Sequence, residues 1–166
     1  ILWTKKPNWS SIFRFSFQKR YAENFSIMID SHVITVGNND RLALEEGWYG
    51  LEKSPEGLVY RASSREALLR IPFALQRVQV TLLLAARPEH THEPLKGLVS
   101  TSAGTDFLFE LTTNHWTVRQ GFLETGEDRL IRILVYNPWS PGQLYANGDE
   151  RLLGILLSAV HVHWEE

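Results

Sequence analysis

Apolar side chains recur at every second position in short runs along this chain, and clusters of Gly, Asn, Asp, Ser and Pro separate the runs. An extended backbone puts alternate side chains on opposite faces, so this period specifies half-buried strands. Phe25, Ile27 and Ile29 share one face of a short strand, opposite Ser26, Met28 and Asp30. Ser31-His32 is expected as a tight turn into Val33-Ile34-Thr35-Val36, closing a hairpin. Gly37-Asn38-Asn39-Asp40 is a turn cluster. Strands are expected from Leu68 to Pro72 and from Val78 to Ala85. In the second, Leu83 breaks the alternation of Val78, Val80, Leu82 and Leu84 and points to cover on both faces. Phe107, Phe109 and Leu111 form a further run, and Trp116, Val118 and Gln120 follow after a Thr113-Asn114 turn. Leu130 to Tyr136 suits a central strand, and Ile155 to Trp164 the last one. The best helical candidate is a short turn near Ser63 to Leu69. About ten strands with turn signals between them specify an all-β antiparallel sandwich of jelly-roll or galactose-binding-like type.

A chain of 166 residues builds one domain with its own core. No apolar run reaches the roughly 20 residues of a membrane-spanning helix. With no cysteine, disulfides and Cys-based zinc sites are excluded. The start at Ile1-Leu2-Trp3, without Met, reads as an excised domain, a processed chain or part of something longer.

Charge divides the chain into a basic aromatic arm, residues 1–22, and a sandwich, residues 23–166. All 19 acidic residues lie beyond position 22 with 12 of the 17 basic ones, giving that part a formal charge of about −7. The arm holds Lys5, Lys6, Arg14, Lys19 and Arg20 among Trp3, Trp9, Phe13, Phe15, Phe17 and Tyr21. Two readings fit. Residues 12–18 can form an edge strand, or the arm can meet an anionic membrane, cations on phosphates and rings at the interface. Nucleic acid is not expected, because the acidic remainder repels phosphate.

Two signatures carry the side chains that most need explaining. One is Gly47-Trp48-Tyr49-Gly50-Leu51-Glu52 with Tyr60-Arg61; the other is Pro138-Trp139-Ser140-Pro141 with Asp149-Glu150-Arg151-Leu152-Leu153-Gly154. Pairing of early with late strands in a jelly roll brings them together. Trp48, Tyr49 and Trp139 either stack on sugar faces or cap an open end of the sandwich. Glu52, Arg61, Asp149 and Arg151 either face a ligand or lock the two ends of the fold, with Glu52 and Arg151 the expected link. The His161/His163 pair shares one strand face, and His90/His92 has the same spacing in a polar loop. Neither supplies a third ligand, so no metal is expected. Gly-x-Ser-x-Gly, phosphate-binding loops and an opposed carboxylate pair are all missing from the motifs, so neither catalytic residues nor cofactors are assigned. A glycan hydrolase or lyase is the enzymatic alternative.

The order and spacing of the two signatures resemble a bacterial β-sandwich module that accompanies glycosyltransferases and other proteins of cell-surface polysaccharide synthesis. The resemblance covers residues 41–164 and ends in Asp149, Arg151, Leu153 and Gly154 before the last strand. It departs at Tyr60-Arg61-Ala62, where the family has Arg-Trp. It implies a non-catalytic binding or docking module in a bacterial envelope or membrane-associated assembly, at the cytoplasmic face or in the periplasm. A glycan is the implied ligand, with Trp48, Tyr49, Glu52, Arg61, Trp139 and Arg151 as contacts. Trp3, Lys5, Lys6, Trp9, Arg14, Lys19 and Arg20 are the expected membrane or partner contacts. The alternative is a purely structural subunit of a membrane complex.

Overall fold

Burial alternates along nearly every extended segment, and the two sets of inward side chains meet as one core between two antiparallel sheets. A computed structural model describes residues 31–72, 77–87 and 93–164. The expected strands over residues 12–18 and 25–29, the basic arm and the His90/His92 pair all lie outside the described residues.

Ten strands are described: β1 (Ser31–Thr35), β2 (Trp48–Lys53), β3 (Val59–Ser63), β4 (Glu66–Arg70), β5 (Val78–Ala85), β6 (Leu95–Thr101), β7 (Asp106–Leu111), β8 (Thr117–Leu123), β9 (Leu130–Val135) and β10 (Leu156–Trp164). The larger sheet runs β2-β3-β10-β5-β8, with β1 also on β10; the smaller runs β4-β9-β6-β7. The chain therefore folds as an all-β, jelly-roll-like sandwich in which early and late strands pair.

β10 organises the larger sheet. One of its edges pairs with β5 along most of its length. The other pairs first with β3, through Leu156 and Leu157, and then with β1, through Ala159 to His163. A bulge between Leu157 and Ala159 marks the change of partner. There the Ser158 carbonyl accepts from Val36 N at 3.0 Å, and the Ser158 hydroxyl donates to the Val59 carbonyl at 2.9 Å. The bulge keeps Leu157, Val160 and Val162 in the core while Leu156 faces outward under a second, smaller cluster.

Two local expectations are corrected. Ser31 and His32 lie within β1, not in a turn, because their backbones pair with His163 and Val162. The helical turn near Ser63 to Leu69 is the end of β3 and the start of β4. Leu68 and Leu69 are flanked by β9 on one side and residues 44–46 on the other, so sheet ladders satisfy the backbone groups that a helix would have paired internally. In β8 the inward positions are Arg119, Gly121 and Leu123, so Val118 and Gln120 point outward. Strands β2, β3 and β6 and the helix α1 (Pro141–Tyr145) lie outside the expected elements.

The sandwich closes along one side where β7 meets β8. A Cβ placed on Gly121 would lie 2.2 Å from the Phe107 ring, so the aromatic ring fills the space a side chain would take. Gly121→Ala is expected to lower unfolding free energy by about 1–3 kcal/mol, the cost of overpacking a tight contact. The midpoint of urea unfolding, compared at equal slope, measures it.

Candidate functional site

The outward face of the larger sheet carries an unusual row at one end. Ala62, Leu156 and Ala85 sit side by side on β3, β10 and β5, and the two small residues leave room above them. Tyr49, Tyr60 and Trp116 fill it, burying Ala62, Ala85 and Leu156 beneath their rings. The Tyr60 and Trp116 rings lie 5.7 Å apart in a tilted arrangement. On β5 this cover buries Ala85, which shares the outward face with Leu83.

Charged groups extend this aromatic layer into a ledge. The Tyr60 hydroxyl donates to Glu52 Oε2 at 3.0 Å, and Arg87 Nη2 donates to Glu52 Oε1 at 3.1 Å. Arg87 also lies over the Trp139 ring, 6.0 Å from its centre, and Trp139 meets Tyr145 edge-on at 6.3 Å. Four segments thus supply one continuous surface: the β2–β3 hairpin, the end of β5, the stretch before β8, and the loop between β9 and β10.

That last loop is built to hold its shape. Trp139 and Leu153 exchange two backbone hydrogen bonds, of 3.0 and 2.8 Å, which close its base. Pro141 opens α1, where its missing N–H is no loss. The Ser140 hydroxyl donates to the Asp149 carbonyl at 3.0 Å, and Gly142 N donates to the same oxygen at 2.7 Å. The Pro-Trp-Ser-Pro motif is therefore a helix start stitched to the chain returning toward β10.

The two signatures do meet, but through different partners than expected. Arg151 does not take Glu52; it makes a forked contact with Asp149, with Nη2 to Oδ2 at 2.6 Å and Nε to Oδ1 at 2.9 Å. Sequence neighbours two apart in an extended turn reach this geometry at little entropic cost. These hydrogen bonds hold the Asp149 carboxyl below the usual carboxylate range. The Arg151 guanidinium lies over the Tyr49 ring at 5.5 Å, and the Tyr49 hydroxyl donates to the Leu152 carbonyl at 3.2 Å. One face of Tyr49 is therefore occupied by the protein's own cation.

Trp48 and Arg61 sit elsewhere. Trp48 packs against the main core and donates Nε1–H to the Leu68 carbonyl at 2.9 Å. Its partner Gly47 has φ of 82°, and a Cβ there would come within 2.0 Å of the Glu66 carbonyl, so the Gly-Trp pair serves a close backbone crossing. Arg61 Nε donates to the buried Asp40 carboxylate at 2.8 Å, and Arg61 Nη1 to the Tyr49 carbonyl at 3.0 Å. Asp40 also accepts from Gly37 N at 3.0 Å. Together with Arg41, Leu44 and Glu45 these groups line a shallow depression of about 210 Å³. Its floor is an ion pair that ties the turn before β2 to β3.

Arg87 and Trp116 are the ledge residues that the signatures did not contain. Arg87 stands two residues past the end of β5, and Trp116 precedes β8; only the strand order puts them beside Glu52 and Tyr60. No group of three metal-ligating side chains occurs among the described residues. Glu52 and Asp149 are each engaged by a guanidinium, an arrangement suited to hydrogen bonding and stacking.

No protein-family model and no curated protein matches this chain. Among solved structures it is similar to the Podospora anserina GH26-CBM35 β-(1,4)-mannanase, at 13% identity and a TM-score of 0.48 over 84% of this chain. The chain spans only 28% of that enzyme's length. It is also similar to the carbohydrate-binding module CBM35 of Cellvibrio japonicus Abf62, at 10% identity and a TM-score of 0.44, covering 82% of this chain and 94% of the module. A third likeness is to BiXyn10A CBM1, at 10% identity and a TM-score of 0.43, covering 84% of this chain and all of that one.

Further along the same sheet face, His161 and His163 place their rings 6.4 Å apart. Burial, followed by the neighbouring His163, pushes the His161 pKa down. A histidine whose folded pKa lies below its unfolded one stabilises the fold above the unfolded value, and that contribution is lost as pH falls through the folded value. Stability should therefore decline as pH drops below about 6.5. In His161→Gln, the fall in melting temperature between neutral and mildly acidic pH should be shallower than in the wild type.

Proposed function

We propose that this chain is a non-catalytic binding module whose ledge around Glu52 recognises a glycan. One observation carries the reading: a partly exposed carboxylate, held in place by Tyr60 and Arg87, is flanked by the Trp116 and Trp139 rings. Sugars present apolar ring faces bordered by hydroxyls. Aromatic surface beside a fixed acceptor and donor matches both features at once. Tyr49 and Arg151 brace the ledge from one side, while Trp48 and Arg61 support the hairpin that carries Glu52.

The module works within a larger bacterial envelope assembly of the kind that holds glycosyltransferases, and residues 1–22 form its anchor. The charge division supports this: five cations and no carboxylate stand in the arm, ahead of an acidic sandwich. Trp3, Lys5, Lys6, Trp9, Arg14, Lys19 and Arg20 are its contacts with an anionic surface at the cytoplasmic face.

Two measurements test the two halves. On a glycan array, the wild type should bind a defined set of oligosaccharides, and Trp116→Ala should weaken that binding about tenfold, the loss of one stacking ring; equal binding by the variant would exclude the ledge. In sedimentation with vesicles containing phosphatidylserine, deletion of residues 1–22 should abolish binding seen with the full chain. Undiminished binding by the truncated chain would remove the anchor.

A further inference from the structure

The ledge also indicates which class of glycan it accepts. Glu52 is its central carboxylate, and its side chain is 44% exposed. Oε1 takes one hydrogen bond from Arg87 and Oε2 one from Tyr60, so each oxygen keeps further acceptor capacity toward solvent. A carboxylate only accepts, and any ligand group meeting it must donate.

Among the described residues, the two cations beside the ledge already have a carboxylate of their own. Arg87 is paired with Glu52 and Arg151 with Asp149. An anionic ligand gains little from either guanidinium unless it displaces an existing pair, and it approaches Glu52 as a like charge.

Arg87 Nε and Trp139 Nε1 are buried without a hydrogen-bond partner among the described residues. Both atoms are enclosed, so they lie beneath the binding surface and leave Glu52 as the group a ligand meets. Glu52 sets the requirement: the group that meets it donates, and a neutral hydroxyl does so. A uronate or phosphate oxygen accepts only.

Resting on the glycan reading above, we infer that the ligand is a neutral, polyhydroxyl sugar rather than a uronic-acid or phosphorylated glycan. Glu52 accepts from its hydroxyls, and the Tyr60–Trp116 pair lies against the ring face. Selection arises from an acceptor placed where an acidic glycan would need a donor.

The test uses the full chain on an array that carries neutral oligosaccharides beside their uronate and phosphorylated counterparts, read at about 50 and about 500 mM salt. The bound set should be neutral, with signals changing less than about twofold between the two salts, because no net ionic contact forms. Glu52→Gln keeps an oxygen for one of Tyr60 and Arg87 but turns the other acceptor into a donor, and should weaken neutral binding about tenfold. Preference for uronate or phosphate glycans, suppressed by salt, would overturn this inference and leave the glycan reading standing. An array without signal, from a chain shown by circular dichroism to be folded, would overturn both.

Discussion

Everything in this sandwich depends on the last strand being paired along both edges. β10 enters between β3 and β5, both formed much earlier in the chain, and then exchanges β3 for β1 at the Ser158 bulge. Each of these pairings is long-range, so the larger sheet is complete only when the C-terminal residues have arrived. Such topologies form slowly, since loop closure must precede the contacts that reward it. The bulge is the device that allows one strand to serve two partners, because it resets which side chains face the core without ending the strand.

The same pairing determines where the functional chemistry collects. Ala62, Leu156 and Ala85 come into one row because β10 lies between β3 and β5. The shallow relief of that row accepts large rings, and the rings in turn support Glu52 and Arg87. The Asp40–Arg61 pair acts from the opposite side of the hairpin. It is buried at the carboxylate end and holds the turn before β2 against β3. Of the charged residues in the two signatures, one set thus maintains the scaffold and the other is displayed on it.

Period-two patterning revealed the fold because burial in a sandwich follows the pleat, as in Val78, Val80, Leu82 and Leu84. Even the irregular Leu83 carried information, since its outward side is covered. The pattern failed where local sequence was ambiguous and distant pairing decided the outcome. Leu68 and Leu69 suit a helical turn or a strand, and neighbours far along the chain settled them as β4. The ledge was legible only in part. Tyr49, Glu52, Trp139 and Arg151 stood out as aromatic or charged residues beside glycines and prolines. Arg87 and Trp116 stood in no motif, because nothing local to them records which strands will become their neighbours. The choice of ion-pair partner was likewise hidden: Asp149, two positions away, reaches Arg151 before Glu52 can.

The hydrogen-bonded neck between Trp139 and Leu153 has an evolutionary meaning. It seals the excursion through α1 and Asp149 off from the strands on either side, so the interior of the sandwich makes few demands on what lies beyond the neck. Substitutions or length changes there can accumulate while the scaffold stays as it is. Lineages sharing this scaffold would then diverge first in Tyr145 and its neighbours, and last in the strands beneath.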